Sequence, residues 1–218
     1  MKLYDKIANA VVKKGYKFFE GDMDPNFIVE RTNNKYTNAF TDRIYILLTE
    51  DGVNKAFSWR GTSKPGLYGK GAVMSNYKSS AGGVTGTASI VPGQYIGLWE
   101  MMFLDKLDRG AKCMSGNPHY APSLHQRNKV IVARDNNKDL IINPNLKTTE
   151  GSWYGINGHY MGFDVTPDVF TDDNLNNWSV GCVGSPAMDW FKIMCTLADC
   201  APITGNRLSL TLITSCDV

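Results

Sequence analysis

The apolar positions of this chain fall into two rhythms. Over residues 2–15, Leu3, Ile7, Ala10 and Val11 recur at helical spacing with Lys14 on the same face, and Gly15 follows as a stop. This predicts a short helix packed on the edge of a domain rather than a docking helix for a partner. From Asn26 the rhythm shortens to that of strands. Candidates are Phe27–Thr32, Arg43–Thr49, Lys55–Trp59, Ala88–Val91, Tyr95–Met101, Lys129–Ala133, Leu140–Asn143, Trp153–Tyr160 and Leu208–Thr214. They are rich in β-branched and aromatic residues, and turn residues such as Glu50-Asp51-Gly52 part them. The run Leu208-Ser209-Leu210-Thr211-Leu212 alternates strictly, as a half-buried strand does.

Helical spacing returns once, in Trp190, Phe191, Met194 and Leu197. Before it, Val183-Gly184-Ser185-Pro186 reads as a turn, an N-cap and a first helical residue. With no repeat and no βαβ alternation, the pattern predicts a mainly β domain over residues 26–218, preceded by a helical extension over residues 1–25. Two stretches read as irregular. Gly66–Gly86 is glycine-rich but lacks the Gly-Lys-Ser/Thr ending of a phosphate loop, and a surface excursion is preferred over a lid. Lys106–Arg127 reads as loop, with His119 and His125 inside it.

Composition narrows the function classes. With 218 residues and 43% hydrophobic positions the chain suits one folded domain. A formal net charge of +2 gives no reason to expect nucleic acid as a partner. No apolar run approaches the length of a membrane span, and charges scattered through the N-terminus argue against a signal peptide.

Cysteine usage is equally plain. Cys113, Cys182, Cys195, Cys200 and Cys216 are odd in number and irregular in spacing, which predicts reduced thiols rather than a disulfide framework or structural zinc. His119 and His125 read as solvated loop residues, because Pro118 and Pro122 rule out one helical face for a metal. Asp135-Asn136-Asn137-Lys138-Asp139 opens like a calcium loop, but Leu140 and Leu146 stand where that loop needs glycine and glutamate. A polar turn is expected there, and neither metal nor cofactor.

The chemistry gathers between Trp153 and Cys182. His159 sits in a short apolar-flanked run, and Trp178-Ser179-Val180-Gly181-Cys182 follows. A cysteine with a histidine upstream forms a thiolate–imidazole pair if the fold joins them. Gly181 permits a sharp turn before Cys182. A helix start just beyond Cys182 would present amides that favour a thiolate and an oxyanion. Ser179 has two readings, a hydroxyl for the oxyanion or the histidine, and a turn-holder. Trp178 reads as an aromatic filling the core under the nucleophile.

At these residues the sequence resembles the L,D-transpeptidase catalytic domain, the YkuD-type family, whose signature is a histidine, a variable gap, then Ser/Thr-x-Gly-Cys. It is most similar to a phage and bacterial branch carrying GINIHR and WSAGCQV. The matching text here is Gly155-Ile156-Asn157-Gly158-His159-Tyr160 and Trp178-Ser179-Val180-Gly181-Cys182-Val183. Weaker likenesses at Asn26–Thr32, Thr62–Tyr68, Gly86–Ala88, Pro92–Tyr95 and Arg134–Asn137 extend the resemblance over most of the chain. Three positions depart from the branch. Tyr160 replaces an arginine suited to a substrate carboxylate, Gly158 replaces an apolar strand residue, and Val183 replaces a glutamine.

The resemblance implies a β-sandwich or barrel-like sheet with the active cysteine near one end. It implies a catalytic set of Cys182, His159, Ser179 and Gly181, with Cys182 attacking a peptidoglycan stem-peptide amide to form an acyl-enzyme. Water as acceptor makes a hydrolase and an amine makes a transpeptidase; the sequence leaves both open. The expected setting is a phage virion, or the host cytoplasm before lysis as for an endolysin, with action at the bacterial cell wall and other virion proteins as further partners. The alternative is a non-catalytic virion component or wall-binding module on the same fold.

Overall fold

The computed structural model describes residues 1–33, 39–68, 72–73, 87–135, 141, 148–152, 154–162 and 178–218. Helix α1 spans Leu3–Lys13 and helix α2 spans Ala187–Thr204. The strands are β1 (Asn26–Arg31), β2 (Asp42–Glu50), β3 (Val53–Gly61), β4 (Leu67–Tyr68), β5 (Ala72–Val73), β6 (Ala88–Ile90) and β7 (Gly93–Met102). They continue with β8 (Ser123–Gln126), β9 (Val130–Arg134), β10 (Thr148–Gly151), β11 (Gly158–Tyr160), β12 (Val183–Ser185) and β13 (Arg207–Thr214). Short 3₁₀ segments lie at Leu104–Met114 and Pro118–Tyr120.

Eight strands form one sheet in the order β12-β11-β8-β7-β13-β1-β2-β3. Its two edges meet where Thr62 and Gly184 exchange N–H···O bonds of 2.8 and 3.0 Å, so the sheet is a nearly closed barrel. A second sheet, β10-β9-β6, packs beside it. The mainly β, barrel-like architecture is the one expected from the strand pattern and the resemblance. Among the described residues no helix is long and apolar enough to cross a membrane.

Period-two alternation explains why the central strands are buried on both faces. On β1, Phe27 and Val29 enter the main core while Ile28 faces the other way; on β2, Ile44, Ile46 and Leu48 oppose Tyr45 and Leu47. The outward set is covered by Ile7, Ala10 and Val11 of α1. The helix therefore packs on the barrel wall, as its apolar face predicts, and Gly15 ends it at φ +74°. Leu3 shares the predicted face but stays exposed, so the middle turns hold the helix.

Helix α2 turns Trp190, Ile193, Met194, Leu197 and Cys200 into the main core. Full burial of side chains such as Ile193, Met194 and Leu197 contributes about 1.5–3 kcal/mol each. Gly205, at φ 59°, caps the helix in the left-handed region that glycine adopts freely.

The structure corrects the sequence reading in four places. Val183–Ser185 is not a turn and N-cap but strand β12, and Pro186 holds the cap position of α2. The Ser185 hydroxyl donates to Arg60 O, which ties it to β3 rather than to a helix start. Lys106–Arg127 is not wholly irregular: it contains β8, which is polar and short and so shows no alternation. His125 lies on that strand, its ring 6.0 Å from Phe103, and is not a solvated loop residue. The predicted strand Trp153–Tyr160 contracts to β11. Most of Gly66–Gly86, of Asp135–Asp139 and of Leu140–Asn143 lies outside the described residues. All five cysteines are free thiols.

Candidate functional site

Strands β11 and β12 run parallel at one edge of the barrel, with His159 opposite Gly184 and Gly158 opposite Val183. Alternation along β11 sorts its three residues. Tyr160 points into the core, where it is fully buried and its hydroxyl donates to Gly116 O at 2.7 Å. Gly158 faces the same side, and a Cβ there would lie 2.8 Å from Trp190 and 2.9 Å from Leu124. His159, between them, faces the opposite way and lines a cleft of about 300 Å³. Gly158 therefore does not loosen the histidine; it lets β11 sit close enough to α2 for His159 to be placed.

The same cleft is lined by Cys182, Gly181, Val180 and Trp178 from one segment, and by Tyr154, Gly155, Ile156 and Asn157 from another. Ala88 and Arg134 complete it from β6 and β9. Cys182 and His159, distant in sequence, thus share one concavity. The His159 ring places Nδ1 2.8 Å from Tyr160 O. A carbonyl only accepts, so Nδ1 carries a proton and Nε2 is the basic nitrogen of the neutral ring. The backbone of Tyr160, not Ser179, makes this orienting bond.

Cys182 is buried, and its sulfur is held on two sides. Asn157 N–H donates to Sγ at 3.4 Å, and the thiol donates to Gly155 O at 3.3 Å. Burial pushes the thiol up to about 11, a rise that the Asn157 N–H only partly offsets. This overturns the expectation of an acidified thiol at a helix start: a strand intervenes before α2, and burial dominates. Asn157 also accepts Val183 N–H at 2.9 Å through its carbonyl and Gln126 N–H at 2.9 Å through its side chain. One residue therefore ties the sulfur to β8 and β12. Its place in Gly155-Ile156-Asn157, just before the histidine strand, is the sequence signal for it.

Ser179 and Gly181 shape the loop. The Ser179 hydroxyl donates to Cys182 O at 3.1 Å and accepts Gly181 N–H at 3.1 Å, which makes it the turn-holder of the two sequence readings. Gly181 has φ +142°, and a Cβ there would meet Ala88 O at 2.5 Å. Only glycine fits both the torsion and the approach. Ala88 N–H binds Val180 O at 2.9 Å and Gly66 N–H binds Ser179 O at 2.8 Å, so the loop is pinned from two sides. Trp178 packs against Tyr160, with ring centroids 5.8 Å apart, and also faces the cleft.

Behind the loop lies a sealed ionic cluster. Lys64 Nζ is 2.9 Å from Asp42 Oδ1, with both side chains at 0% exposure. Asp42 Oδ2 accepts from Ser63 N–H at 2.8 Å and from Ser63 Oγ at 2.7 Å. Arg31 donates to Ser63 Oγ at 2.9 Å and to Ser63 O at 3.0 Å, and Lys64 donates to Thr41 Oγ1 at 2.8 Å. The cluster fixes Ser63 and Lys64, and the flanking Thr62 and Gly66 bond Gly184 and Ser179.

No family model matches this sequence, and no curated protein matches it either.

Proposed function

We propose that this chain is a cysteine acyl-transfer enzyme acting on an amide of peptidoglycan stem peptides. Cys182 is the nucleophile and His159 the base. The observation that carries the reading is the shared cleft: the sulfur and a histidine with its Nδ1 already committed to Tyr160 O line the same concavity. The resemblance of the His159 and Ser179–Cys182 motifs to the YkuD-type signature supplies the substrate class.

The chemistry follows from the thiol's acidity. With a pKa of about 11, only about one sulfur in ten thousand is ionised at neutral pH. The resting site is therefore a neutral thiol, not an ion pair. His159 Nε2 takes the proton as Sγ attacks the amide carbonyl, then gives it to the leaving amine as the C–N bond breaks. The product is a thioester on Cys182. Water, losing its proton to His159, releases a carboxylic acid and restores the thiol; an amine acceptor instead forms a new amide. Gly181 N–H is engaged by Ser179, whereas no described residue accepts from Cys182 N–H, which is the amide offered to the oxyanion. For a phage protein carried to the wall by a virion or a lysis system, hydrolysis is the useful outcome.

Digestion of purified sacculi tests the proposal. Wild-type protein releases muropeptides, and Cys182→Ala and His159→Ala each lower the rate by about 10²-fold or more. Equal release by all three proteins refutes it. A second reading, a non-catalytic virion or wall-binding module, is favoured by the thiol's bond to Gly155 O and its raised pKa. It predicts sacculus binding without products, unchanged in Cys182→Ala.

A further inference from the structure

Two consecutive peptide groups hold the Cys182 sulfur. The carbonyl of the Gly155–Ile156 peptide accepts the S–H at 3.3 Å, and the N–H of the Ile156–Asn157 peptide donates to Sγ at 3.4 Å. A trans peptide points its C=O and N–H in opposite directions. Each of the two therefore has a far end turned away from the sulfur, and a side chain takes each far end. Gln126 Oε1 accepts Ile156 N–H at 2.9 Å, and Trp99 Nε1–H donates to Ile156 O at 2.7 Å.

These two side chains come from one place in the fold. Trp99 of β7 and Gln126 of β8 stand opposite each other in the antiparallel register, so they project from the same face. Trp99 is fully buried, edge-on to Phe27 with ring centroids 5.5 Å apart, and Gln126 is nearly as buried. The Gln126 Nε2 donors go to Asn128 O and Gly151 O, each at 2.9 Å, which fixes the amide and leaves Oε1 to Ile156. Gln126 N–H also holds Asn157 Oδ1 at 2.9 Å, a main-chain bond that side-chain substitution keeps. Neither Gln126 nor Trp99 is one of the cleft-lining residues, so each reaches the sulfur through a peptide group.

The two bonds act on the sulfur with opposite sign. An acceptor on a peptide N–H enriches the carbonyl oxygen of the same group, and a donor on a peptide carbonyl sharpens its N–H. Gln126 thus strengthens Gly155 O as the acceptor of S–H, which favours the neutral thiol. Trp99 strengthens Asn157 N–H, whose bond to Sγ favours the thiolate. Among the described residues, the titratable and charged groups lining the cleft with Cys182 are His159 of β11, Arg134 of β9 and Tyr154, and substitutions at 99 and 126 leave all three in place.

We propose that Gln126 and Trp99 are opposed positioning residues for the nucleophile, Gln126 holding the S–H on Gly155 O and Trp99 readying Asn157 N–H for the sulfur's negative charge. This rests on Cys182 being the nucleophile. The resting thiol is then parked on a carbonyl, and Asn157 N–H stays on Sγ while the proton leaves for His159 Nε2.

The test is the midpoint of the alkaline limb of Cys182 alkylation by iodoacetamide in the full chain, read at Cys182 by peptide mass. Gln126→Met removes the acceptor and lowers the midpoint by about half a pH unit or more, whereas Trp99→Phe removes the N–H and raises it by a similar amount. Gln126→Glu loses the Nε2 donors but keeps an acceptor oxygen, and does not lower the midpoint. A role confined to packing gives a different pattern: both sites loosen, water reaches the sulfur, and both midpoints fall. If Trp99→Phe does not unfold cooperatively in urea, benzothienylalanine at position 99 keeps the indole's shape without its N–H. Midpoints that move in the same direction, midpoints that do not move, or an equal fall in Gln126→Glu and Gln126→Met overturn the proposal. Opposite shifts in a protein that releases no muropeptides leave the positioning pair standing and remove the enzyme.

Discussion

Two buried polar sites lie within one barrel, and they differ in one respect. The Asp42–Lys64 pair has both side chains fully shielded, and its oxygens and ammonium are met by Ser63, Thr41 and Thr32, with Arg31 bonded to Ser63. Nothing remains for a ligand. Cys182 and His159 are nearly as buried, yet they line a cleft of about 300 Å³, and among the described residues the sulfur has two weak partners. Burial of polar groups therefore does not mark a functional site by itself. The discriminating property is whether the groups face space. The first site serves the second: it fixes the segment that pairs Thr62 with Gly184 and Gly66 with Ser179.

The contrast breaks first at the sealed cluster. Asp42→Asn removes the one carboxylate among the described residues that pairs with Lys64, and leaves Lys64 and Arg31 as two buried cations without it. It should cost about 3–5 kcal/mol in urea unfolding. Lys64→Met should cost less, because Arg31 still faces the carboxylate. An Asp42→Asn protein no weaker than Lys64→Met would contradict this account of the cluster.

The cleft's contribution shows at alkaline pH. Burial raises the pKa of the Cys182 thiol from 9.0 to about 11 in the folded protein. Below the unfolded value both states hold the proton and no stability is lost. As pH rises towards the folded value the unfolded chain ionises first, so stability falls by up to about 3 kcal/mol. Cys182→Ala lacks this dependence. The stability difference between the two proteins should therefore shift between pH 8 and about 11, and parallel curves would sink the assignment.

The smallest effect belongs to Ser179. With a turn-holding hydroxyl, Ser179→Ala should cost about 1–2 kcal/mol, read as a lower urea midpoint. The Nδ1 tautomer of His159, observed by nitrogen NMR, should remain unchanged because Tyr160 O sets it. A tautomer switch in Ser179→Ala would return the hydroxyl to the catalytic group.

Much of this was legible in the sequence. The alternation in β1, β2, β7 and β13 reflects strands packed in the barrel wall, and α1 and α2 carry clear helical stripes. Cys182 and His159 stood out through the order His159…Ser179-Val180-Gly181-Cys182 and the glycine just before the cysteine. What misled was local chemistry that tertiary contacts override. Ser185-Pro186 has the form of a helix start, but pairing with β11 and the Ser185 bond to Arg60 O draw that segment into the sheet. Gly158 looked like a weakness because a sequence does not show that Trp190 fills the space beside it. The role of Asn157 and the place of Arg134 in the cleft depend on which strands become neighbours, and no periodicity reports that.

The most direct test of the central claim is the pH profile of Cys182 alkylation by iodoacetamide, compared with His159→Ala. Two limbs are predicted for wild type: one below the thiol's own range, which needs His159 as the base, and one near pH 11 where the thiol ionises unaided. His159→Ala should retain only the alkaline limb. Superimposable profiles with a single rise near pH 11 would mean that the imidazole takes no proton from this sulfur.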